Sequence, residues 1–252
     1  MLSTRGKRAV LTVAVAAALV AGCADLESGG SSEGSGPDVA AGRAASPLTN
    51  PDGTKPGLGA LTSETDKANA RKPVEELTVK GRGPKTGYER DKFGYAWMDT
   101  ADGVPLARNG CDTRNDLLKL HGRNVQFRAG SDCVVVSMDL YDPYTGKEIA
   151  WKKEKATEVQ IDHVVPLSYA WQMGASRWSK DKREQLANDV LNLLPVSGST
   201  NSAKRDSGPA SWLPPNKSIR CSYAVRFAQV SLKYALPVTM ADKRAMLAQC
   251  GG

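Results

Sequence analysis

Two histidines occur in the chain, His121 and His163, so each can be weighed alone. His121 ends the segment CDTRNDLLKLH, where it reads as a surface or helix-capping residue. His163 stands in Gln160-Ile161-Asp162-His163-Val164-Val165-Pro166-Leu167. Ile161, Val164 and Val165 are strand formers, and strand alternation sends Asp162 and His163 to opposite sides of the backbone. The two can still serve one site if the strand curls or ends there, one holding a metal and one facing water. An isolated Asp-His pair ordinarily reads as a buried, hydrogen-bonded imidazole. The residues downstream change that balance. Asn192 lies between Leu191 and Leu193-Leu194; a buried amide there must be satisfied and so holds something in position. Asn201-Ser202-Ala203-Lys204-Arg205 follows a Gly-Ser-Thr turn. A helix there brings Asn201 and Lys204 onto one face, three residues apart. An oxygen donor and a cation on one face suit a metal–phosphate site.

Arg114 is a further candidate. It can pair with Asp112 or Asp116 on its own helix, or its fork-shaped guanidinium can clamp a phosphate at the same site. Lys180, Lys182, Arg183, Lys204 and Arg205 could add backbone contacts, which would give salt-sensitive and largely sequence-independent binding. Tyr169, Trp171, Trp178 and the Tyr141–Tyr144 turn read as packing.

These residues must be positioned by short elements. Cys111–His121 is helix-like, capped by Asp112 or Thr113. Cys133–Leu140 is a strand, Asp142-Pro143-Tyr144-Thr145-Gly146 a turn, and Lys147–Trp151 the returning strand of a hairpin. Val159–Leu167 is extended and closed by Pro166. Lys180–Asn188 reads as a helix, and Val190–Val196 as a strand interrupted by Asn192. Asn201–Asp206, Ser222–Leu236 and Ala241–Gln249 read as helices, the last two with apolar stripes. No internal repeat or heptad pattern is evident.

Ahead of this region the composition changes twice. Residues 1–22 carry Arg5, Lys7 and Arg8 before an apolar run to Gly22, which reads as an export signal rather than a membrane span. Val20-Ala21-Gly22-Cys23 resembles a bacterial lipoprotein processing site, which would make Cys23 a lipid-bearing N-terminus. A plain secretory signal is the alternative. Residues 23–70 are rich in Gly, Ser, Pro, Ala and Asp and read as a disordered tether. The folded domain is expected over 71–252. Setting Cys23 aside leaves Cys111, Cys133, Cys221 and Cys250, enough for two disulfides in an oxidising compartment. Three pairings are possible. Cys111–Cys133 and Cys221–Cys250 are favoured because each closes a short loop.

The chain has a formal net charge of +7. Residues 1–22 hold three basic groups and no acid, and residues 23–70 three basic groups against seven acids, so 71–252 carries +8. A basic folded part favours a polyanionic partner.

Taken in order, Asp162-His163-Val164-Val165-Pro166, Asn192 with Leu193-Leu194, then Asn201 and Lys204 resemble the strand–strand–helix metal finger of HNH endonucleases. The nuclease module of RNA-guided DNA-cutting enzymes has the same order. The nearer resemblance is to small secreted actinobacterial HNH proteins, related to the C-terminal nuclease domain of GmrSD-type restriction enzymes. It is carried also by Gly110–Asp116, Tyr141–Gly146, Ala187–Leu193 and Trp212-Leu213-Pro214-Pro215, and spans roughly 71–250.

The resemblance implies an α+β domain with an embedded ββα-metal core and extra helices. It makes His163 the general base, Asp162 and Asn201 the ligands of one Mg²⁺ (Mn²⁺ as a substitute), Asn192 a support of site geometry, and Lys204 a phosphate contact. Beside it, the residues themselves add Arg114 to the expected catalytic set with His163 and Asn192, as a phosphate clamp, and Arg205 as a phosphate binder. The final position is Asn201 rather than histidine, which weakens any case for Zn²⁺. No Cys-x-x-Cys pair is present for a zinc knuckle. The implied reaction is hydrolysis of DNA, or RNA, with low sequence specificity, leaving 5′-phosphate and 3′-hydroxyl ends, in an extracellular or cell-surface setting. Nucleic acid is the expected partner; contact with a membrane is expected only through a lipid on Cys23, and no protein partner is expected. The alternative is an exported basic domain that binds nucleic acid or another polyanion on an inactive nuclease fold.

Overall fold

The computed structural model describes residues 44–251. The export leader, Cys23 and the first part of the expected tether lie outside the described residues. All described residues fall in one compact unit.

Three strands form an antiparallel meander, β1 (Arg123–Phe127), β2 (Val135–Asp142) and β3 (Lys147–Lys152). The β2–β3 turn closes because Asp142 accepts from the Tyr144 amide and the Thr145 hydroxyl, while Gly146 takes the positive φ of 71° that an L side chain resists. Two further strands, β4 (Val159–His163) and β5 (Leu193–Ser197), pair antiparallel with His163 opposite Leu193 and Asp162 opposite Leu194.

Seven α-helices, joined in places by short 3-10 helices, accompany the strands: α1 (Glu64–Glu75), α2 (Thr113–His121), α3 (Leu167–Met173), α4 (Lys180–Asn188), α5 (Gly198–Lys204), α6 (Arg220–Lys233) and α7 (Met240–Gln249). Asp112 caps α2 by accepting from the Asn115 amide. α5 starts directly where β5 ends, so the order β4, β5, α5 is strand, strand, helix.

One core surrounds α6, whose Tyr223, Phe227 and Val230 are fully buried. A second fills the space between Leu117 and Leu118 of α2, Met138, Leu140 and Trp151 of the meander, and Ile161 and Leu193 of the β4–β5 pair. The disulfides are Cys111–Cys133, tying the start of α2 to β2, and Cys221–Cys250, tying α6 to the end of α7. They close 22 and 29 residues, which on loop-entropy grounds stabilises the fold by roughly 3 kcal/mol each.

Several expectations are corrected. The tether does not extend to residue 70. Leu58, Leu61 and Ala70 lie in the α6 core, and Asn50 is fully buried, its side chain closing a turn on Lys55. A Gly- and Pro-rich stretch looks unburiable by composition. Here its few leucines enter an apolar groove while side chains and backbone satisfy the turns. The Val190–Val196 strand is shorter: residues Val190–Asn192 form a 3-10 turn that Asp189 caps, and the strand starts at Leu193. The extended stretch ends at His163, and Leu167 opens a helix. Pro166 is the residue just before that helix, where its rigid φ precedes the first turn.

Candidate active site

The end of β4 carries the two candidate residues Asp162 and His163. Gln160 and Asp162 share one face, Ile161 and His163 the other, yet Asp162 and His163 both line one open cleft of about 580 Å³. They meet because the strand stops at His163, at the rim of that cleft.

His163 is 8% exposed, and its ring lies parallel to Trp97 at a centroid distance of 6.1 Å. Its Nε2 is 3.0 Å from the Ala187 carbonyl oxygen. A carbonyl only accepts, so Nε2 carries the proton and the lone pair is on Nδ1. Burial, followed by the positive charge of Arg90, pushes the imidazole down to about 3. The ring is therefore neutral at ordinary pH.

Asn192 fixes that arrangement. Its Oδ1 accepts from the Val165 amide at 2.8 Å, and its Nδ2 donates to the carbonyls of Val165 and Leu186 at 3.3 and 3.2 Å. It thus joins the backbone just beyond His163 to the end of α4 that presents Ala187. Fully buried and not among the cleft-lining residues, it holds its neighbours in place and does not itself reach the cleft.

Asp162 is buried and heavily engaged. The Lys204 ammonium donates to Oδ1 at 2.8 Å and to Oδ2 at 2.7 Å, and the Tyr144 hydroxyl donates to Oδ2 at 2.5 Å. Burial raises the carboxyl and lowers the ammonium from their usual values, while their mutual contact opposes both shifts. Lys204 is fully buried and spends its remaining donor on the His163 carbonyl at 2.7 Å. It has no proton left for a phosphate, which corrects its expected role. Helical spacing places Lys204 near Asn201 correctly, but the α5 register turns it inward.

Asn201 donates from Nδ2 to Gln160 Oε1 at 2.9 Å, which joins α5 to the Asp162 face of β4. Arg114, half-buried, crosses from α2 and donates to the Val159 carbonyl at 3.0 Å. Burial lowers its guanidinium from the usual value. Arg205 is exposed at the cleft with a backbone φ of 54°. Lys180, Lys182 and Arg183, expected to contact the nucleic-acid backbone, are not at the cleft: none lines it. Lys180 pairs with Glu184, and Arg183 donates to the Lys92 and Trp178 carbonyls.

Sequence reasoning misses Arg90, Lys85, Trp97 and Asp206, all of which line the cleft. Lys85 and Arg90 are visible as basic residues in a turn-rich stretch, but nothing local says which way that loop folds. Tyr144 reads in the sequence only as part of a turn, whereas its hydroxyl holds Asp162. The cleft collects Lys85, Arg90, Arg114 and Arg205 against Asp162 and Asp206, and Asp206 is paired with Lys85 at 3.0 Å.

Among the described residues, no three His, Cys, Asp or Glu side chains cluster as a metal site. The available donors are oxygens. Of four acceptor positions on Asp162, three are occupied, and the Asn201 amide oxygen adds another. Oxygen donors of this kind would suit a hard cation rather than a soft or imidazole-seeking one, and on Asp162 such a cation would share the carboxylate with the Lys204 ammonium.

The model for GmrSD restriction endonucleases, C-terminal domain, matches residues 112–249. A secreted protein of Arthroderma benhamiae, itself described as uncharacterized, is 40% identical over 181 residues, 71% of this chain and 82% of that protein. It comes from a fungus, so the likeness does not carry the narrower actinobacterial label. No solved structure matches. With the His163–Ala187 and Asp162–Lys204 contacts both inside the matched span, the chain belongs to the family of GmrSD restriction endonuclease C-terminal domains.

Proposed function

We propose that this protein is an exported, metal-dependent endonuclease of the HNH type that hydrolyses DNA phosphodiesters with low sequence specificity. One observation carries the reading: a neutral imidazole, proton fixed on Nε2 by the Ala187 carbonyl, stands in a cleft lined by four cationic side chains. The strand–strand–helix order of β4, β5 and α5 and the family membership support it.

In this reading His163 Nδ1 takes the proton of the attacking water. Backbone and Asn192 contacts keep that nitrogen aimed. Arg90, Arg114 and Arg205 hold the phosphate and offset its charge. Lys204 keeps Asp162 ionised and in place rather than touching substrate. A Mg²⁺ ion held by Asp162 and the Asn201 oxygen would supply charge neutralisation at the phosphoryl and departing oxygens. Cleavage would leave 5′-phosphate and 3′-hydroxyl ends. Export is supported by the secreted relative, and no described helix is long and apolar enough to cross a membrane.

The close engagement of Asp162 by Lys204 and Tyr144 favours a second reading, a polyanion-binding domain without cleavage. Plasmid DNA and a single-stranded oligodeoxynucleotide, each incubated with the full chain, decide between them. Cleavage with Mg²⁺ that stops with EDTA and with His163→Ala supports the nuclease. DNA binding without cleavage across metals, pH and salt supports the binding domain instead.

A further inference from the structure

Behind His163 a second cavity of about 300 Å³ adjoins the cleft. Arg90, Trp97 and His163 line both, so the imidazole is a shared wall. The second cavity has a different character. Phe93, Tyr95 and Trp97 give it aromatic surface. Tyr95 is 63% exposed, a large aromatic left in water at the side of a proposed active site.

Asn188 also lines this cavity and is 2% exposed. Its Nδ2 donates to the Glu184 carbonyl at 2.9 Å, which fixes the amide orientation, since a flipped amide would set oxygen against oxygen. Its Oδ1 is buried with no hydrogen-bond partner. A buried acceptor in that state needs an explanation. Closed off in the pocket as it stands, it would accept from a ligand with an N–H on a flat aromatic ring once a small shift of the wall opens it.

We propose that the pocket between Phe93, Tyr95, Trp97 and Asn188 receives one unstacked nucleobase of the strand whose phosphate lies in the His163 cleft. The proposal rests on the nuclease reading for the strand's presence, and it names the substrate form: single-stranded nucleic acid, or a frayed end. A base held in a duplex has both faces covered and would have to leave the stack to enter. Stacking on an aromatic side chain tolerates every base, because every base has a π-face. Each natural base also offers an N–H on its pairing edge, so the Asn188 acceptor would not select among them. This agrees with low sequence specificity. Arg90, on the shared wall, is placed to meet the phosphate between the two compartments.

The test is a short single-stranded oligodeoxynucleotide carrying one 2-aminopurine, moved position by position, bound to the full chain in EDTA so that nothing is cut. The expected result is fluorescence quenching at one position only. Tyr95→Ala, at an exposed site that does not threaten the fold, should abolish that quenching and weaken binding roughly tenfold. An abasic nucleotide at that position should do the same to the unaltered protein. Binding seen by anisotropy with no position quenched, or quenching indifferent to Tyr95→Ala, overturns the pocket. Cleavage with Mg²⁺ is scored separately on the same oligonucleotide. Quenching without cleavage keeps the pocket and removes the nuclease reading, whereas cleavage without quenching does the reverse.

Discussion

The ammonium of Lys204 lies 2.8 and 2.7 Å from the two carboxylate oxygens of Asp162, with both side chains inside the protein. The same ammonium holds the carbonyl of His163 at 2.7 Å. One lysine on α5 therefore sets both the acid and the backbone of the histidine on β4. Taking two charges out of water is costly, and only their pairing offsets it.

Removing both partners should therefore cost less than the two single removals added together. Lys204→Met leaves the Asp162 carboxylate buried with only Tyr144, and should cost about 3–5 kcal/mol in denaturant unfolding. Asp162→Leu with Lys204→Met should cost clearly less than the two single changes added together. Additive losses would show that the pair is not coupled as the contact distances require.

The His163 region illustrates what is legible in the sequence. The strand, the turn, the helix α4 and the order of Asp162, His163, Asn192 and Asn201 can all be read from residue type and spacing. The direction of Lys204 cannot. A one-residue change in where α5 begins rotates it by about 100°, and helix starts are poorly marked when Gly198-Ser199-Thr200 can serve either turn or helix. Trp97 and Arg90 are illegible for another reason. They reach His163 from far upstream through an irregular loop, and long-range packing of such loops leaves no local periodicity.

Residues 44–62 should be required for stability, because Leu58 and Leu61 are buried against the α6 core. Leu58→Ala should destabilise by about 2–5 kcal/mol, measured by urea unfolding. A fragment starting at residue 71 should melt well below the full chain. If the shortened fragment is equally stable, the packing of this segment contributes nothing and residues 44–70 act as a tether after all.

Asn192→Ala should lower turnover far more than DNA affinity, since its three buried hydrogen bonds orient His163 and Ala187 and none faces the cleft. The distinguishing readout is the His163 ring by nitrogen NMR. In the parent protein Nε2 should be the protonated nitrogen; in the variant the two tautomers should mix. An unchanged tautomer with normal turnover would remove Asn192 from the positioning role.

Acid should destabilise the fold through His163. Its imidazole is lowered from 6.5 to about 3 in the native state, first by burial and then by Arg90. Between those values the unfolded chain binds the proton and the native chain does not, so stability falls as pH falls through that window. Well above pH 6.5, where the unfolded imidazole is also neutral, the group contributes no slope. At about pH 5 the loss from this residue should be about 2 kcal/mol, and His163→Gln should be free of that component. Equal pH slopes in parent and variant between about pH 7 and 5 would mean that the native ring protonates normally.

Cleft cations that touch phosphate should reveal themselves by salt dependence. Removing one cation–phosphate pair should flatten the slope of log affinity against log salt by about 0.9 on duplex DNA and about 0.7 on a single strand. Arg205→Ala and Arg90→Ala both remove exposed charges at the cleft, so each should show one such step. Lys180→Ala provides the contrast, because Lys180 is exposed but pairs with Glu184 away from the cleft. Arg90→Ala should have a second effect: with its positive charge gone, the His163 imidazole should titrate at a higher pH. A uniform slope change across all three variants would assign binding to the general positive field of the domain, and a step confined to Arg90 and Arg205 would assign it to the cleft.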